Sequence, residues 1–110
     1  MDTYQEASDV YKLLSDRNRL MILALLKEKD LCVCEIVELL QMSQPNVSQH
    51  MRKLKAGGLV SETKKGQWVF YSLRIENKPS VAYALKQLPS VQNKVEKLEL
   101  KERREPCERS

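Results

Sequence analysis

A short apolar-striped stretch, a two-residue turn and a second helix that opens on a proline leave few folds available to this chain. Asp30 offers a cap to the first stretch, whose opening turn holds Cys32 and Cys34 and whose Ile36, Leu39 and Leu40 face inward at helical spacing. Gln41 and Met42 separate it from a helix that Ser43 or Gln44 can cap. Pro45 in that helix's first turn sacrifices no intrahelical bond. Within the second helix Val47, Met51 and Leu54 keep the core spacing, which leaves Gln44, Asn46, Ser48, Gln49, Arg52 and Lys53 for the outer face, with His50 beside them. The proportions are those of a helix-turn-helix.

The flanking segments extend this core. Gly57 and Gly58 stop the second helix. Residues 59–63 and 67–73 are β-favouring runs around Lys64, Lys65 and Gly66, which predicts a hairpin with a basic tip, a wing beside a recognition helix, packed through Trp68 and Tyr71. Upstream, residues 2–14 place Tyr4, Ala7, Val10, Tyr11 and Leu14 on one helical stripe. Ser15 and Asp16 are cap-type residues, and Leu20, Ile22, Leu23, Leu25 and Leu26 then predict a central core helix ending at residues 27–29. Downstream, residues 77–88 form a helix through Val81, Ala84, Leu85 and Leu88. Pro89 breaks or kinks it, and Val91, Val95 and Leu98 resume the stripe.

A small winged domain offers no obvious cover for that last stripe, so the C-terminal helix is expected to pair with the first helix of a second subunit. The predicted fold is mainly α with a β-hairpin wing (α+β). It is a winged helix-turn-helix over residues 1–100 that dimerises through its N- and C-terminal helices, followed by a charged, poorly ordered tail over residues 101–110.

Composition narrows the function classes. At 110 residues the chain is one domain, and 19 basic against 15 acidic residues, net +4, mildly favour an anionic partner. No apolar run approaches the ~18 residues of a membrane span, and the N-terminus lacks the pattern of a signal peptide, so a cytoplasmic protein is expected. Three cysteines, an odd count, argue for thiol chemistry instead of a disulfide framework. The chain has no Cys-x-x-Cys, no glycine-rich phosphate loop and no evident catalytic dyad, which excludes an enzyme. A purely structural dimerisation module would leave the polar helix face and the basic wing without a use. On duplex DNA, Asn and Gln suit adenine edges, Arg suits guanine, Ser suits phosphates or several bases, and Lys64 and Lys65 supply sequence-independent phosphate attraction.

Four blocks in order resemble the ArsR/SmtB family of winged-helix, metal-responsive repressors over residues 16–73. They are Asp16-Arg17-Asn18-Arg19-Leu20-Met21-Ile22-Leu23, Leu31-Cys32-Val33-Cys34, Ser43-Gln44-Pro45-Asn46-Val47-Ser48-Gln49-His50, and Gly58-Leu59-Val60. The resemblance implies a homodimer that binds an inverted-repeat operator, represses a resistance operon and releases DNA when a toxic metal or metalloid binds. The Cys-Val-Cys box looks like that of the arsenite-sensing branch, which implies Cys32 and Cys34 as ligands, As(III) or Sb(III) as the inducer, and no permanent cofactor. In that branch a third cysteine often follows three residues after the second. Val37 stands there, so a third protein thiol falls to Cys107, with a partner's thiol or a small-molecule thiol such as glutathione as alternatives. The family's cadmium and lead sensors add cysteines in an N-terminal extension, and residues 1–31 contain none. Its zinc sensors use His and carboxylate groups on the C-terminal helix, whereas the single histidine here is His50.

Soft thiolates select As(III), Sb(III), Cd(II) and Cu(I) over hard cations, which keeps a cadmium-, lead- or copper-responsive repressor as an alternative. A helix N-terminus favours thiolate at Cys32 and Cys34, which also suits a redox switch based on oxidation or persulfide. Residues two apart on an ideal helix point about 200° from each other. Joint capture of one ion therefore requires the first turn of that helix to unwind or tilt, and the movement would reach the recognition helix it supports. Arg17 and Arg19 suit either phosphates or acids.

Overall fold

The structure, a computed structural model, describes the backbone of residues 2–104 and the side chains of residues 2–100. Helix α1 (Thr3–Leu14) starts where the Asp2 carboxylate accepts the Tyr4 N–H at 2.7 Å. Helix α2 (Arg17–Glu28) starts the same way, with Asp16 accepting from Asn18 at 2.8 Å and Arg19 at 3.1 Å. Ile22, Leu23, Ala24, Leu25 and Leu26 are buried without a break, which makes α2 the central helix.

The Arg19 N–H bond is the first cause that lowers the Asp16 pKa below its ordinary value of 3.8, with partial burial opposing and His50 assisting. A lowered carboxyl contributes stability above its unfolded value and loses it as pH falls through the folded one. Asp16→Ala is therefore expected to destabilise the protein by about 1 kcal/mol near neutrality. The deficit should close below about pH 4. Urea unfolding of both proteins at neutral and acid pH measures it, and a deficit independent of pH would refute the cap.

After α2 the chain forms a strand that sequence periodicity does not predict. β1 (Leu31–Cys32) pairs antiparallel with β3 (Trp68–Leu73), Leu31 opposite Tyr71 and Cys32 opposite Phe70, and β3 pairs with β2 (Val60–Lys65) in a sheet ordered β1-β3-β2. Two residues are too few to show an alternation. Helix α3 (Val33–Leu40) consequently has Cys32 as its N-cap, and Asp30 does not cap it. Gln41 adopts the left-handed conformation, φ 53°, and its Nε2 donates to the Glu38 carbonyl at 2.7 Å, which turns the chain sharply into α4 (Gln44–Ala56). Ser43 caps α4 by accepting the Asn46 N–H, Pro45 occupies its first turn, and Val47, Met51 and Leu54 are buried as expected.

Gly58, with φ +76°, carries the chain out of α4. The wing differs from its sequence reading in one respect: Lys64 and Lys65 belong to β2, opposite Val69 and Trp68, and the turn is Gly66–Gln67, with φ +65° at Gly66. Exposed lysines on a two-stranded ribbon carry no β signal of their own, so pairing places them.

Helix α5 (Pro79–Lys86) buries Val81 and Leu85, and Leu88 falls beyond it, partly exposed. Helix α6 (Gln92–Arg104) packs on α2 and α3 and buries Val91, Val95 and Leu98. The stripe expected to need a second subunit is thus covered within one chain, because α5 and the bend at Pro89 return α6 across the core. Large side chains left exposed include Tyr4, 88%, and Tyr11, 59%, on α1, Tyr83, 67%, on α5, and Leu100, 56%, on α6. Helix α6 runs past the expected domain boundary at residue 100, and the rest of the expected tail, Cys107 included, lies outside the described residues. No helix among the described residues is long and apolar enough to cross a membrane.

Candidate nucleic-acid interface and thiol pair

With Val47, Met51 and Leu54 turned into the core, α4 presents Gln44, Asn46, Gln49, Arg52 and Lys53 to solvent. Ser48 and His50 sit at the edges of that face, half-buried. His50 is the edge nearest α2, its Nδ1 3.5 Å from Arg19 Nη1. The same guanidinium donates through Nε to the Leu13 carbonyl at 2.9 Å and through Nη2 to the Lys12 carbonyl at 3.1 Å. Arg19 therefore ties the end of α1 to α2 and reaches toward the recognition helix. Arg17 is exposed.

The wing stands beside α4. Lys64 and Lys65 are exposed on β2, with Lys65 Nζ 5.4 Å from the Phe70 ring centroid. Helix and wing are joined by a bridge that residue patterning passes over: Lys55 on α4 pairs with Glu62 on β2, and the Tyr71 hydroxyl on β3 donates to Glu62 at 3.5 Å. The Lys55 pKa is raised by its bond and charge contact with Glu62, and that of Tyr71 by burial first and by Glu62 second. Lys55 is thereby engaged within the protein, while Lys53, Lys64 and Lys65 project from the same surface.

The thiol pair lies on the other side of α4's support. Cys34 is half-buried in the first turn of α3, whereas Cys32 is 2% exposed in β1 and extended, φ −91° and ψ 166°. Only Cys34 is helical, which removes the strict opposition of two side chains on one helix. The geometry also corrects the expectation of an acidified Cys32. Burial pushes its pKa above the ordinary value of 9.0, with the Glu35 charge acting the same way and the Glu35 N–H bond opposing. Residue patterning does not single out Glu35. Its Oε1 accepts the Cys32 N–H at 3.0 Å, and its own N–H faces the Cys32 sulfur, a capping box. A glutamate three residues after a cap is the available signal, masked because cysteine is not a usual cap. Among the described residues no cluster of three His, Cys, Asp or Glu side chains forms a cation site, and Cys107 lies outside them.

Comparison with known proteins agrees with this geometry. The description "bacterial regulatory protein, arsR family" matches residues 16–62. An arsenical resistance operon repressor of Staphylococcus aureus is 44% identical over 71 residues, which cover 64% of this chain and 68% of the relative. A cadmium resistance transcriptional regulatory protein of Listeria innocua is 41% identical over 68 residues, covering 61% of this chain and 57% of that one. A homodimeric winged helix-turn-helix DNA-binding domain from Mycobacterium bovis, a possible ArsR-family regulator, superposes with a TM-score of 0.65 at 27% identity, over 76% of this chain and 75% of that one. The exposed polar face of α4, the basic wing beside it and the sequence relatives lead to one conclusion: the chain belongs to the ArsR family of winged helix-turn-helix transcriptional repressors, which are DNA-binding regulators and not enzymes.

Proposed function

We propose that this protein is a cytoplasmic, metalloid-responsive repressor that binds its operator as a homodimer and releases it when As(III) or Sb(III) is captured by Cys32 and Cys34, with Cys107 as the third thiol. The observation that carries the reading is the position of Cys32 and Cys34. They bracket the junction where β1, which continues the wing's sheet, becomes α3, which supports the recognition helix. A ligand there moves both DNA-reading elements at once. Gln44, Asn46, Ser48, Gln49, His50, Arg52 and Lys53 would meet bases and phosphates in the major groove, and Lys64 and Lys65 the flanking backbone.

Dimerisation follows from complementary surfaces. Tyr4 and Tyr11, seven residues apart on one face of α1, are exposed. A groove of about 390 Å³ between α2 and the α5–α6 bend is lined by Leu20, Met21, Ala24 and Pro89 and edged by Arg17 and Lys94. The tyrosine face of α1 in one copy suits the apolar groove of the other, and a two-fold axis satisfies both. Operator binding requires the two recognition helices of such a dimer to sit about 34 Å apart, one turn of the duplex.

Arsenous acid reacts with protonated thiols: each As–S bond forms as an As–OH bond breaks, and the hydroxide leaves with the thiol proton as water. Two thiols release two waters, and a third thiol releases the last hydroxide in the same way. A thiol of raised pKa is compatible with that condensation.

Fluorescence anisotropy of the preformed complex with its promoter fragment, under reducing conditions, tests the reading. Arsenite should release the DNA, with cadmium titrated in parallel and zinc giving little response. Cys32→Ser and Cys34→Ser should bind operator as wild type does and withstand arsenite. Release by oxidant alone would replace the metalloid reading with a redox switch, and loss of operator binding in both variants would sink the ligand assignment.

A further inference from the structure

Among the described residues Glu35 is the buried acid, 6% exposed, and neither DNA contact nor ion capture by the thiols uses it. Its carboxylate holds the Cys32 amide, and its own amide faces the Cys32 sulfur. Sulfur is a weak acceptor, so the sulfur half of this capping box is the lesser one. The carboxylate half is charge-assisted and shielded from water, and it carries the cap. The residue it holds is also the last of β1, opposite Phe70, and Phe70 stands opposite Thr63 in the strand that leads to Lys64 and Lys65.

We infer that Glu35 is the positioning residue of the thiol site: by holding the Cys32 amide it keeps the β1–α3 junction, and through β3 the wing, in the arrangement the ligand-free protein presents to DNA. The inference rests on Cys32 being a ligand. Cys32 is almost wholly enclosed, and its sulfur lies over the Glu35 N–H. Sharing an ion with a reduced Cys34 draws that sulfur out of its enclosure, and in this inference the Cys32 peptide turns with it. Its N–H then leaves the Glu35 carboxylate. Ion capture thus proceeds against this bond, and the bond favours the DNA-binding form. By linkage, whatever weakens it tightens ion binding by the factor it removes from the opposition.

The test compares wild type, Glu35→Gln and Glu35→Ala by amide exchange of the ligand-free protein and by arsenite titration without DNA, read through the ultraviolet absorption of As–S bonds. Glutamine leaves an uncharged acceptor in place, and alanine removes it. Exchange should quicken in residues 31–33 and 69–71. Arsenite should bind about tenfold more tightly to Glu35→Ala, with Glu35→Gln between it and wild type. Unchanged exchange and affinity in both variants would overturn the inference. So would weaker arsenite binding, the result if Glu35 only kept the site folded. Should the alanine variant fail to fold, the glutamine variant decides alone. Cys32→Ser separates the two readings: arsenite retained there refutes the ligand assignment, whereas arsenite lost there with wild-type behaviour in both Glu35 variants refutes the positioning role alone.

Discussion

Leu25→Ala is expected to lower unfolding stability by about 2–5 kcal/mol, a large share of the roughly 5–15 kcal/mol that holds a domain of this size together. Leu25 is fully buried in the middle of α2, with buried neighbours on both sides in the chain. Because α2 meets α1, α4, α5, α6 and β3, the space left by three lost carbon atoms cannot be closed by one element moving inward. Leu100→Ala on α6 removes the same atoms from a side chain that is 56% exposed, and it should cost no more than about 0.5 kcal/mol. Urea unfolding of both at one protein concentration is the comparison, since association would add to the apparent stability of each. Equal effects would mean that α2 is not the centre of the core. Operator binding by Leu25→Ala should fail in proportion to its unfolded fraction and return on cooling toward the temperature of maximum stability.

The second large effect concerns DNA. Replacing both Lys64 and Lys65 by alanine should weaken operator and unrelated DNA alike. It should also flatten the dependence of log K on log salt by about 0.9 for each phosphate no longer neutralised, about 3.6 for the four lysines of a dimer. Both lysines are exposed on β2, at the end of a ribbon anchored to α4 through the Lys55–Glu62–Tyr71 bridge. Arg52→Ala should behave differently, costing about 1–3 kcal/mol on the operator and far less on unrelated DNA, because a guanine contact reads sequence and a phosphate contact does not. Titrations on cognate and scrambled duplexes at several salt concentrations distinguish them. An unchanged slope in the double lysine variant would remove the wing from the interface.

These two outcomes divide along the same line as the legibility of the chain. Core positions of α2 and α4 are readable because burial imposes a 3.6-residue period on Val47, Met51 and Leu54, and a continuous apolar run on Ile22 through Leu26. Asp16, Ser43 and Pro45 mark helix starts by local chemistry that needs no partner. The hairpin is readable to within two residues, and the error falls on Lys64 and Lys65, whose strand geometry comes from cross-strand pairing. The thiol pair is visible as residue types at a spacing, but its environment is not. Residue spacing puts Cys32 on a helix with a favoured thiolate, and it is instead the buried end of a strand with a raised pKa.

Local sequence by itself determined the helices, the caps of α2 and α4, the turn between α3 and α4 and the polar face of the recognition helix, since hydrogen bonding within a few residues and the period of burial are properties of neighbours in the chain. Tertiary structure alone decided what is made between distant segments. It paired Leu31 and Cys32 with Tyr71 and Phe70, returned α6 over α2 and α3 so that Val91, Val95 and Leu98 are covered within the chain, and set Arg19 between the end of α1 and His50. It also buried Glu35 against the Cys32 amide. A buried charge is stable only where a specific donor meets it, and whether the surroundings exclude water from that bond is settled by the packing of elements far apart in sequence.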